Sequence, residues 1–398
     1  MTNTVDSGRA VILVTGANTG VGFGFCQRLI EQFCDGFSTS AFKSPSIKAE
    51  GSYISCTDLT LIMACRSLDR AEAAKAKIIQ FVDTYVARSG SKAKDRGREL
   101  RANLEILTVH IDLGSLTTVF ELAKQLKKRH AYISHLFFNA GYAHFEVDQK
   151  KYMKQLFAAP ATIPIQLDYL TDYVGEISED GFGMIWQTNL FAHFTLFSLL
   201  KPLLEESPTE MGSRVIWTTS VTAGPFFDWS DIQLIKTSRP YQSSKYQIEV
   251  LASILDQNSR NTGGKIRHLI SSPGIVSSSL GMPNAPLIEI YIKEFIYYVV
   301  LRTFAGCPHM AITSFRGSLA AIHLSTVSPN LLGHYSGGGL GNEVPRLLAV
   351  QCTRWGAEKL VPSEVEALDW TQAKKLLEIC EDLFRKIQRA QDGSISIG

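Results

Sequence analysis

A glycine-rich loop between an apolar strand and a helix constrains the fold of this chain more than any other stretch. The short apolar run Ala10–Val14 predicts a parallel strand that is covered on both faces. It leads directly into Thr15-Gly16-Ala17-Asn18-Thr19-Gly20-Val21-Gly22, and a helical pattern follows from Phe23 to Phe33. Glycine permits a tight turn and lets backbone amides approach a pyrophosphate at the helix N-terminus. A purely structural glycine turn is the alternative, but the strand before the loop and the helix after it favour nucleotide binding.

Alternating apolar and amphipathic segments predict that the chain continues this βαβ arrangement. Further strands are predicted at Leu59–Ala64, Leu104–Ile111, Ile133–Phe138, Arg214–Thr218 and Ile266–Ile270. Helices are predicted at Leu68–Val86, Ser115–Arg129, Gly183–Leu204, from Pro240 through Leu255, at Thr313–Leu324 and at Trp370–Gln388. The Lys/Arg-rich stretch 89–101 is predicted to be a solvated loop. The predicted fold class is therefore α/β, a doubly wound, Rossmann-like parallel sheet in a single domain with insertions and a helical C-terminal extension.

The predicted core, residues 1–285, carries insertions at about 35–58 and 146–180, and residues 286–398 form a helical, substrate-side or membrane-facing extension of the same domain. Within the extension, Leu287–Gly306 is rich in aliphatic and aromatic residues, but charged side chains such as Lys293 and Glu294 interrupt it. This mixture suits a helix in a membrane interface, and a core or dimer helix covering the substrate site is an equally good interpretation. No uncharged apolar run is long enough to predict a membrane-spanning helix.

The composition argues against several classes of function. A net charge of +2 over 398 residues argues against a dedicated nucleic-acid surface. The seven cysteines show no CxxC pair and no paired Cys/His spacing, which fits a reducing compartment, and no metal site is expected. Residues 1–9 lack the charged-then-apolar order of a signal peptide, so the catalytic part is expected to face the cytosol.

Tyr241 and Lys245 stand four residues apart, directly after Pro240. On a helix this spacing places both side chains on one face, one above the other. A phenol with a pKa of about 10 is a poor acid at neutral pH, and an adjacent ammonium is expected to lower that pKa toward the working range. The spacing also arises by chance on surface helices, so the assignment depends on the rest of the chain.

A series of motifs occurs in a fixed order, each at the end of a predicted element. They are the glycine loop at 15–22, Asn139-Ala140-Gly141, Thr219-Ser220, Tyr241-x-x-x-Lys245 and Pro273-Gly274. Together they resemble the short-chain dehydrogenase/reductase family.

The resemblance implies catalytic roles for Ser220, Tyr241, Lys245 and Asn189. Tyr241 would donate a proton, Ser220 would bond the carbonyl oxygen, and Lys245 would hold the nicotinamide ribose. Asn189 would support a water leading to the lysine, and a core asparagine bonded to local backbone is the alternative.

The resemblance also implies NADPH as the cofactor. Arg66 follows the second predicted strand, where arginine suits the 2′-phosphate of NADP, and a solvated arginine opening the next helix is the alternative. Asp112 would lie near the adenine or else cap the following helix. The implied cofactor contacts come from the strand-end turns, namely Thr15, Gly16, Asn18, Thr19, Gly20, Val21, Gly22, Arg66, Asp112, Asn139, Gly141, Tyr241, Lys245, Pro273, Gly274 and Val276.

Two further stretches look like the 3-ketosteroid reductase branch of the family, the NADPH enzymes of sterol C4 demethylation. One is the aromatic and acidic insert Phe226–Gln233, which is expected to line the substrate cavity. The other is Gly306-Cys307-Pro308-His309, in which His309 is expected to be a structural loop residue. Two departures leave the sterol open, because Thr219-Ser220 replaces Ser-Ser and Gly-Cys-Pro-His replaces Gly-Ser-Pro.

This branch implies reduction of a ring ketone of a sterol or triterpenoid at the cytosolic face of the endoplasmic reticulum or at a lipid droplet. The expected partners are the lipophilic ketone, a membrane surface, other sterol-pathway enzymes and a second copy of the chain, with no nucleic acid. Two alternatives stay open. One is a 17-ketosteroid or other lipophilic carbonyl reductase that shares every catalytic residue, and the other is an NADPH-binding scaffold in a membrane sterol complex.

Overall fold

The structure, a computed structural model, describes residues 9–35, 58–163, 165–208, 212–277, 292, 294–327, 332 and 345–391. Most of the predicted insertion at about 35–58 lies outside these ranges, and so does the beginning of Leu287–Gly306.

A mostly parallel sheet organises the described chain. Its strands are β1 (Arg9–Thr15), β2 (Asp58–Cys65), β3 (Glu105–His110), β4 (His135–Phe138), β5 (Phe145–Val147), β6 (Leu170–Asp172), β7 (Ser213–Thr218), β8 (Ile266–Ser272), β9 (Arg346–Cys352) and β10 (Glu358–Glu364). Eight of these strands form one sheet in the order β10-β9-β8-β7-β4-β1-β2-β3, and β5 pairs antiparallel with β6 in a separate two-stranded sheet. Neighbours in the larger sheet are parallel except for β9 and β10. The order reverses at β1, as in a doubly wound Rossmann-like sheet, which confirms the predicted fold class.

Helices cover both faces of this sheet. They are α1 (Gly20–Asp35), α2 (Leu68–Arg88), α3 (Ser91–Asn103), α4 (Leu116–Arg129), α5 (Gln149–Ala158), α6 (Met184–Trp186), α7 (Ala192–Glu205), α8 (Pro240–Asn261), α9 (Ser314–Gly317), α10 (Leu319–Thr326) and α11 (Trp370–Gln391). A 3₁₀ turn forms at Pro160–Thr162, and π-helical turns form at Gln187–Phe191 and Ile296–Phe304. The strands and helices predicted from the sequence are present, with ends that differ by a few residues.

The core lies on both sides of the sheet, as the unbroken apolar run of β1 predicts. Val11 and Leu13 pack into a cluster with residues of α4, α7, α8 and α11. Ile12 and Val14 point to the opposite face and pack with residues of α1, α2 and α10. Because successive side chains of a strand alternate in direction, a strand buried on both faces must be apolar throughout.

The prediction of a solvated loop at 89–101 is wrong, because Ser91–Asn103 forms α3. The helix has few apolar residues, and its contact with the core depends on Gly97 and Leu100, which are buried. A Cβ atom at position 97 would lie 2.6 Å from Val86 Cγ2, so the glycine lets α3 approach α2 closely. A contact made by a small residue has little hydrophobic periodicity and is not visible as a helical pattern.

The C-terminal extension contains strands as well as the predicted helices. β9 adds to the sheet in parallel with β8, and β10 returns antiparallel to β9. An ion pair connects β10 to α1, because Arg28 Nη2 lies 2.6 Å from Glu358 Oε2. The extension therefore completes one edge of the sheet.

Candidate active site

The glycine loop packs directly against the turn that follows β4. Gly16 has a φ of +67°, and its amide donates to the carbonyl oxygen of Ala64 at 2.8 Å. A Cβ atom at position 22 would lie 2.5 Å from the Gly16 carbonyl oxygen and 2.6 Å from Asn139 Nδ2, so only glycine fits there. Since α1 begins at Gly20, its N-terminus opens onto the crevice at the carboxyl ends of the parallel strands. Asn18, Thr19 and Val21 belong to this same loop and first helical turn.

Thr15 connects the glycine loop to the end of β4 through hydrogen bonds. Its buried hydroxyl accepts hydrogen bonds from the backbone amides of Asn139 at 3.0 Å and Ala140 at 3.1 Å. Asn139 Nδ2 in turn donates to the Thr15 carbonyl oxygen at 3.1 Å. Thr15 Oγ1 also lies 3.0 Å from His193 Nε2. Burial lowers the pKa of His193 to about 3, so this ring is neutral and acts as a structural partner.

Arg66 lies beside the glycine loop, because β1 and β2 are neighbours and Ala64 pairs with Thr15. Its side chain is exposed to solvent. The next residue, Ser67, caps α2 by accepting the amide of Arg70 at 3.4 Å. The exposed position of Arg66 at the start of α2 agrees with both interpretations of this residue.

Asp112 follows β3 and lies in the turn that leads into α4. Its Oδ1 atom accepts the amide of Gly114 at 2.9 Å, and its carbonyl oxygen accepts the amide of Ser115 at 3.0 Å. These are the contacts expected if Asp112 stabilises the start of α4. Its position at a strand end also agrees with the implied place near the adenine.

Pro273 and Gly274 follow β8 and pack against the stretch that contains His309. Gly274 has a φ of +69°, and a Cβ atom there would lie 2.7 Å from the His309 carbonyl oxygen. The same carbonyl accepts the amide of Ile275 at 2.7 Å, while Val276 forms a β-bridge with Ile312. The turn is therefore held by backbone contacts.

Asn189 joins two parts of the site from within the π-helical turn between α6 and α7. Its Oδ1 atom accepts the amide of Tyr142 at 2.6 Å, and its Nδ2 atom donates to the Tyr142 carbonyl oxygen at 3.0 Å and to Ser244 Oγ at 2.9 Å. A π-helical turn inside a helix is often found at a functional site. The side chain thus makes the backbone contacts of the core-asparagine interpretation, and it also links the turn after β4 to α8. A Cβ atom at Gly141 would lie 3.3 Å from Asn189 Oδ1 and 3.6 Å from Lys245 Nζ, so the glycine admits both groups.

Ser220, Tyr241 and Lys245 converge where β7 ends and α8 begins. Pro240 is the first residue of α8, a position that proline favours, and it places Tyr241 in the first turn. The Ser220 hydroxyl lies 2.9 Å from Thr222 Oγ1, and it is near enough to the Tyr241 phenol to lower the pKa of that group. Lys245 Nζ donates to the Thr218 carbonyl oxygen at 3.0 Å and lies 5.7 Å from the centre of the Tyr241 ring. The three predicted catalytic side chains are therefore brought together.

Burial shifts the pKa of both members of the helical pair. It lowers the pKa of Lys245 to about 8. Burial raises the pKa of Tyr241 to about 12, the hydrogen bond from Ser220 opposes this increase, and the charge of Asp172 adds to it. The expectation that the neighbouring ammonium brings the phenol pKa below its ordinary value is therefore wrong for the protein by itself. Burial of the phenol has a larger effect on its pKa than any neighbouring group.

The aromatic insert between β7 and α8 lies mostly on the core. Phe227 and Trp229 pack edge to face with 4.9 Å between their ring centres, and both rest against the cluster that covers one face of the sheet. Phe226 is 45% exposed, and the Arg239 guanidinium lies 4.9 Å above its ring. Of these three aromatic residues, only Phe226 is exposed to solvent to this extent, and it lies beside the start of α8.

Two acidic residues near the predicted catalytic side chains have no motif in the sequence. Glu249 is buried one turn beyond Lys245 and accepts the Thr219 hydroxyl at 2.5 Å; burial raises its pKa to about 7. Its spacing from Tyr241 and Lys245 could have identified it as a member of the same helix face. Asp172 comes from the insertion at about 146–180, and only the three-dimensional fold places it beside Tyr241.

The chain was compared with known proteins and structures. No family model matches the sequence. It is 28% identical to the 3-keto-steroid reductase/17-beta-hydroxysteroid dehydrogenase 7 of Rattus norvegicus, over 90% of this chain and 95% of that protein. It is 25% identical to the 3-keto-steroid reductase of Kluyveromyces lactis, over 81% of this chain and 82% of that protein. It is 23% identical to the 3-keto-steroid reductase of Schizosaccharomyces pombe, over 95% of this chain and 97% of that protein.

A solved structure of an uncharacterised protein from Mycobacterium paratuberculosis has the same fold. It superposes with a TM-score of 0.50 at 17% identity, covering 94% of this chain and 92% of that one. Each of these alignments spans about four fifths or more of the chain. Over most of its length the chain is therefore similar to 3-keto-steroid reductases, which confirms the resemblance that its motifs predicted.

Proposed function

We propose that this protein is an NADPH-dependent oxidoreductase that reduces a ring ketone of a sterol or triterpenoid to the alcohol. The proposal depends on the convergence of Ser220, Tyr241 and Lys245 at the end of β7. There a phenol that can donate a proton lies near a hydroxyl group that can bind the carbonyl oxygen of the substrate, and near an ammonium group. The reductase names of the relatives support the same reaction class.

The residues present fit a dinucleotide. Gly16 and Gly22 let the loop pack closely against the turn at Asn139, so that the N-terminus of α1 can bind a pyrophosphate through its backbone amides, and Arg66 provides a positive charge next to that loop. When bound, NADPH would supply the hydride. The exposed arginine favours NADPH over NADH, since the two cofactors differ by the 2′-phosphate.

The protein's own groups handle the proton. With a pKa of about 12, the Tyr241 phenol is protonated at neutral pH, which is the form that donates to a developing alkoxide. The Ser220 hydroxyl, which is near the same phenol, would hold the carbonyl oxygen. Lys245, with a pKa of about 8, carries a positive charge at neutral pH and stabilises the phenolate that forms when the proton leaves. Asn189 positions Ser244 and thereby the turn of α8 that carries Lys245.

The direct test is Tyr241→Phe, assayed by NADPH absorbance with 3-keto sterol substrates. Removing the phenol hydroxyl is expected to lower kcat about 10²- to 10⁴-fold, the usual contribution of a general acid. Tyr246→Phe is the matched control, because its hydroxyl on the same helix donates to the distant Ala367 carbonyl oxygen at 2.7 Å. Wild-type turnover by Tyr241→Phe would contradict the assignment.

A 17-ketosteroid substrate is the second candidate, and the name of the rat relative favours it. Product analysis with matched 3-keto and 17-keto steroids separates the two, since the same Tyr241 would protonate either alkoxide. A scaffold without turnover would bind NADPH and oxidise none of it across a ketone panel.

We also propose that the protein works on a membrane surface, at the endoplasmic reticulum or a lipid droplet. No helix in the described ranges is long and apolar enough to cross a bilayer. The π-helical turn Ile296–Phe304 and the turn after β9 nevertheless adjoin one another, as Thr303 Oγ1 donates to the Arg354 carbonyl oxygen at 3.5 Å. Phe304 is 74% and Trp355 85% exposed there. The side chain of Arg354 lies against Gly306, and those of Arg302 and Arg316 lie against Gly356. Exposed aromatic rings with nearby cations suit an anionic lipid interface.

Vesicle co-sedimentation tests this surface. Trp355→Ala and Phe304→Ala are expected to reduce binding to vesicles that contain an anionic lipid. Leu68→Ala, at a 44% exposed site on α2, is the control and should bind as the wild type does. Equal binding by all variants would contradict the proposed surface.

A further inference from the structure

Two arginine side chains converge on the turn between β9 and β10. This turn, residues 353–357, is closed by a hydrogen bond from the Gly356 amide to the Thr353 carbonyl oxygen at 2.9 Å. A Cβ atom at position 356 would lie 3.1 Å from Arg316 Nη1 and 3.3 Å from Arg302 Nη1. Both guanidinium groups therefore approach the same point of the turn. Gly356 has a φ of +83°, a conformation that suits glycine and leaves this point without a side chain.

The turn itself contributes a third arginine. Arg354 packs against Gly306, where a Cβ atom would lie 2.6 Å from its Nε atom and 2.9 Å from its Nη2 atom. The carbonyl oxygen of Arg354 accepts the Thr303 hydroxyl at 3.5 Å, and the side chain of Arg354 is exposed. Arg302, Arg316 and Arg354 thus form an arginine cluster where the turn meets the π-helical turn.

Nearby carboxylates do not neutralise this cluster. Glu358 of β10 lies beside it, but both of its oxygens accept hydrogen bonds from Arg28, at 3.1 and 2.6 Å. Arg316 Nε lies 3.9 Å from Glu358 Oε1, which is a long ion pair. Within the described ranges, neither Arg302 nor Arg354 forms an ion pair with a carboxylate. The cluster therefore keeps uncompensated positive charge.

Arg302 also has hydrogen-bond donors to spare. Its Nε and Nη1 atoms are buried, and neither has an acceptor in the part of the chain that the structure describes. The guanidinium instead lies over the Tyr298 ring, with 4.6 Å between Cζ and the ring centre. Buried donors without an acceptor are unfavourable, so an oxygen-rich anion bound beside them would be stabilised. Several guanidinium groups at one place suit a phosphate group, whose oxygens match their forked donors.

The cluster lies next to two exposed aromatic rings. Trp355, 85% exposed, stands in the same turn, and Phe304, 74% exposed, ends the π-helical turn. Because β9 runs parallel to β8, the turn after β9 lies at the carboxyl edge of the sheet, as the predicted active site does. Aromatic rings enter a bilayer at the depth of the lipid headgroups. A phosphate held by the cluster would lie at that depth.

We propose that the arginine cluster binds the phosphate headgroup of an anionic lipid, beside Trp355 and Phe304. The inference rests on the proposed membrane surface and gives that surface a preference among lipids. Charge-assisted hydrogen bonds select a lipid that carries an exposed phosphate, whereas the aromatic rings insert into bilayers of any charge. A free phosphate ion offers the same oxygens without acyl chains, and the experiment separates these two sources.

The test is co-sedimentation of the full-length protein with phosphatidylcholine vesicles, with and without phosphatidate. The wild type should bind the phosphatidate vesicles more tightly. Arg354→Gln is expected to weaken that binding about fivefold, the effect of one basic residue at an anionic surface, and to leave binding to pure phosphatidylcholine unchanged. Trp355→Ala should weaken binding to both kinds of vesicle, because the ring inserts into either.

Two further variants separate a shaped site from general attraction between charges. Arg302→Lys keeps the positive charge and loses the forked donors, so it should reduce the preference for phosphatidate. Lys374→Gln removes an exposed charge from α11 and should keep the wild-type preference. Circular dichroism and the Tm check the fold of each variant. If Arg302→Lys folds poorly, Arg354→Gln decides, because its side chain is exposed.

The outcomes distinguish this site from the membrane surface on which it rests. A wild-type preference for phosphatidate in both Arg354→Gln and Arg302→Lys would overturn the inference, even if Trp355→Ala shows that the protein binds bilayers. If the wild type bound neither vesicle, the membrane surface would be refuted and the lipid assignment with it. Titration calorimetry with inorganic phosphate would then show whether the cluster binds a soluble anion, since Arg354→Gln should abolish such binding.

Discussion

Gly22→Ala should weaken NADPH binding by distorting the loop that holds the pyrophosphate. The added Cβ atom would lie 2.5 Å from the Gly16 carbonyl oxygen and 2.6 Å from Asn139 Nδ2. Neither atom can yield alone, because Gly16 belongs to the backbone of the loop and Asn139 Nδ2 is bonded to the Thr15 carbonyl oxygen at 3.1 Å. Overpacking of this kind costs about 1–3 kcal/mol. If the loop moves to relieve it, the Kd for NADPH should rise about 10- to 100-fold.

Isothermal titration calorimetry measures the Kd for NADPH. Thermal unfolding measures how much Gly22→Ala lowers the Tm of the protein. Gly90→Ala is the matched control, since Gly90 has a φ of −68° and a Cβ atom there would have nothing within 4 Å. Its Kd and Tm should stay near the wild-type values. The reasoning would be refuted if Gly22→Ala bound NADPH with the wild-type Kd while also keeping the wild-type Tm.

Three further predictions concern individual side chains. Arg66→Ala should raise the KM for NADPH about tenfold while changing that for NADH little, and equal increases would remove the argument for the 2′-phosphate. Ketone reduction should fall as pH rises through about 8, because Lys245 loses its charge there; a rate profile that stays flat to about pH 10 would contradict this. Asn189→Ala should lower the free energy of unfolding by about 2 kcal/mol in urea titrations, since the backbone groups of Tyr142 lose their partner, whereas Asn258→Ala on the exposed face of α8 should have little effect.

The parts of the site that were predicted from the sequence depend on local chemistry. The loop at 15–22 needs glycine wherever its backbone approaches another chain segment, and an unbroken apolar strand must be covered on both faces. Tyr241 and Lys245 share a helix face because of their spacing alone. Such signals lie within a few residues of one another, and the elements that carry them are where the sequence predicted them.

The features that were not predicted depend on partners far away in the chain. β9 is a strand because β8 lies open beside it, and α3 is a helix because Gly97 packs closely on Cys34 of α1 as well as on the neighbouring α2. The direction of the Tyr241 pKa shift depends on how deeply the fold buries the phenol, which spacing along a helix does not reveal. Asp172 is near enough to affect the pKa of Tyr241 only because the insertion folds so that β6 pairs with β5.

Glu249 should make the stability of the protein depend on pH in a way that a single variant can isolate. Its carboxyl group is 5% exposed and accepts the Thr219 hydroxyl at 2.5 Å. Burial raises its pKa from 4.5 to about 7, with a smaller contribution from the charge of Glu366. Between these two values the folded protein holds a proton that the unfolded chain has released. The free energy of unfolding should therefore fall as pH rises through this range, by up to about 3 kcal/mol, and stay level above it.

Glu249→Gln removes this titration and keeps an oxygen that can accept the Thr219 hydroxyl. Urea unfolding at about pH 5 and pH 8 should show the variant gaining stability over the wild type at the higher pH, because other groups titrate equally in both proteins and cancel in the difference. Glu378→Gln, at an exposed position on α11, should show no such gain. A difference between Glu249→Gln and the wild type that is the same at both pH values would mean that the carboxyl group is ionised throughout. In that case the contact between α8 and the strand end that precedes Ser220 would be a charged one, and the burial argument would fail for Glu249.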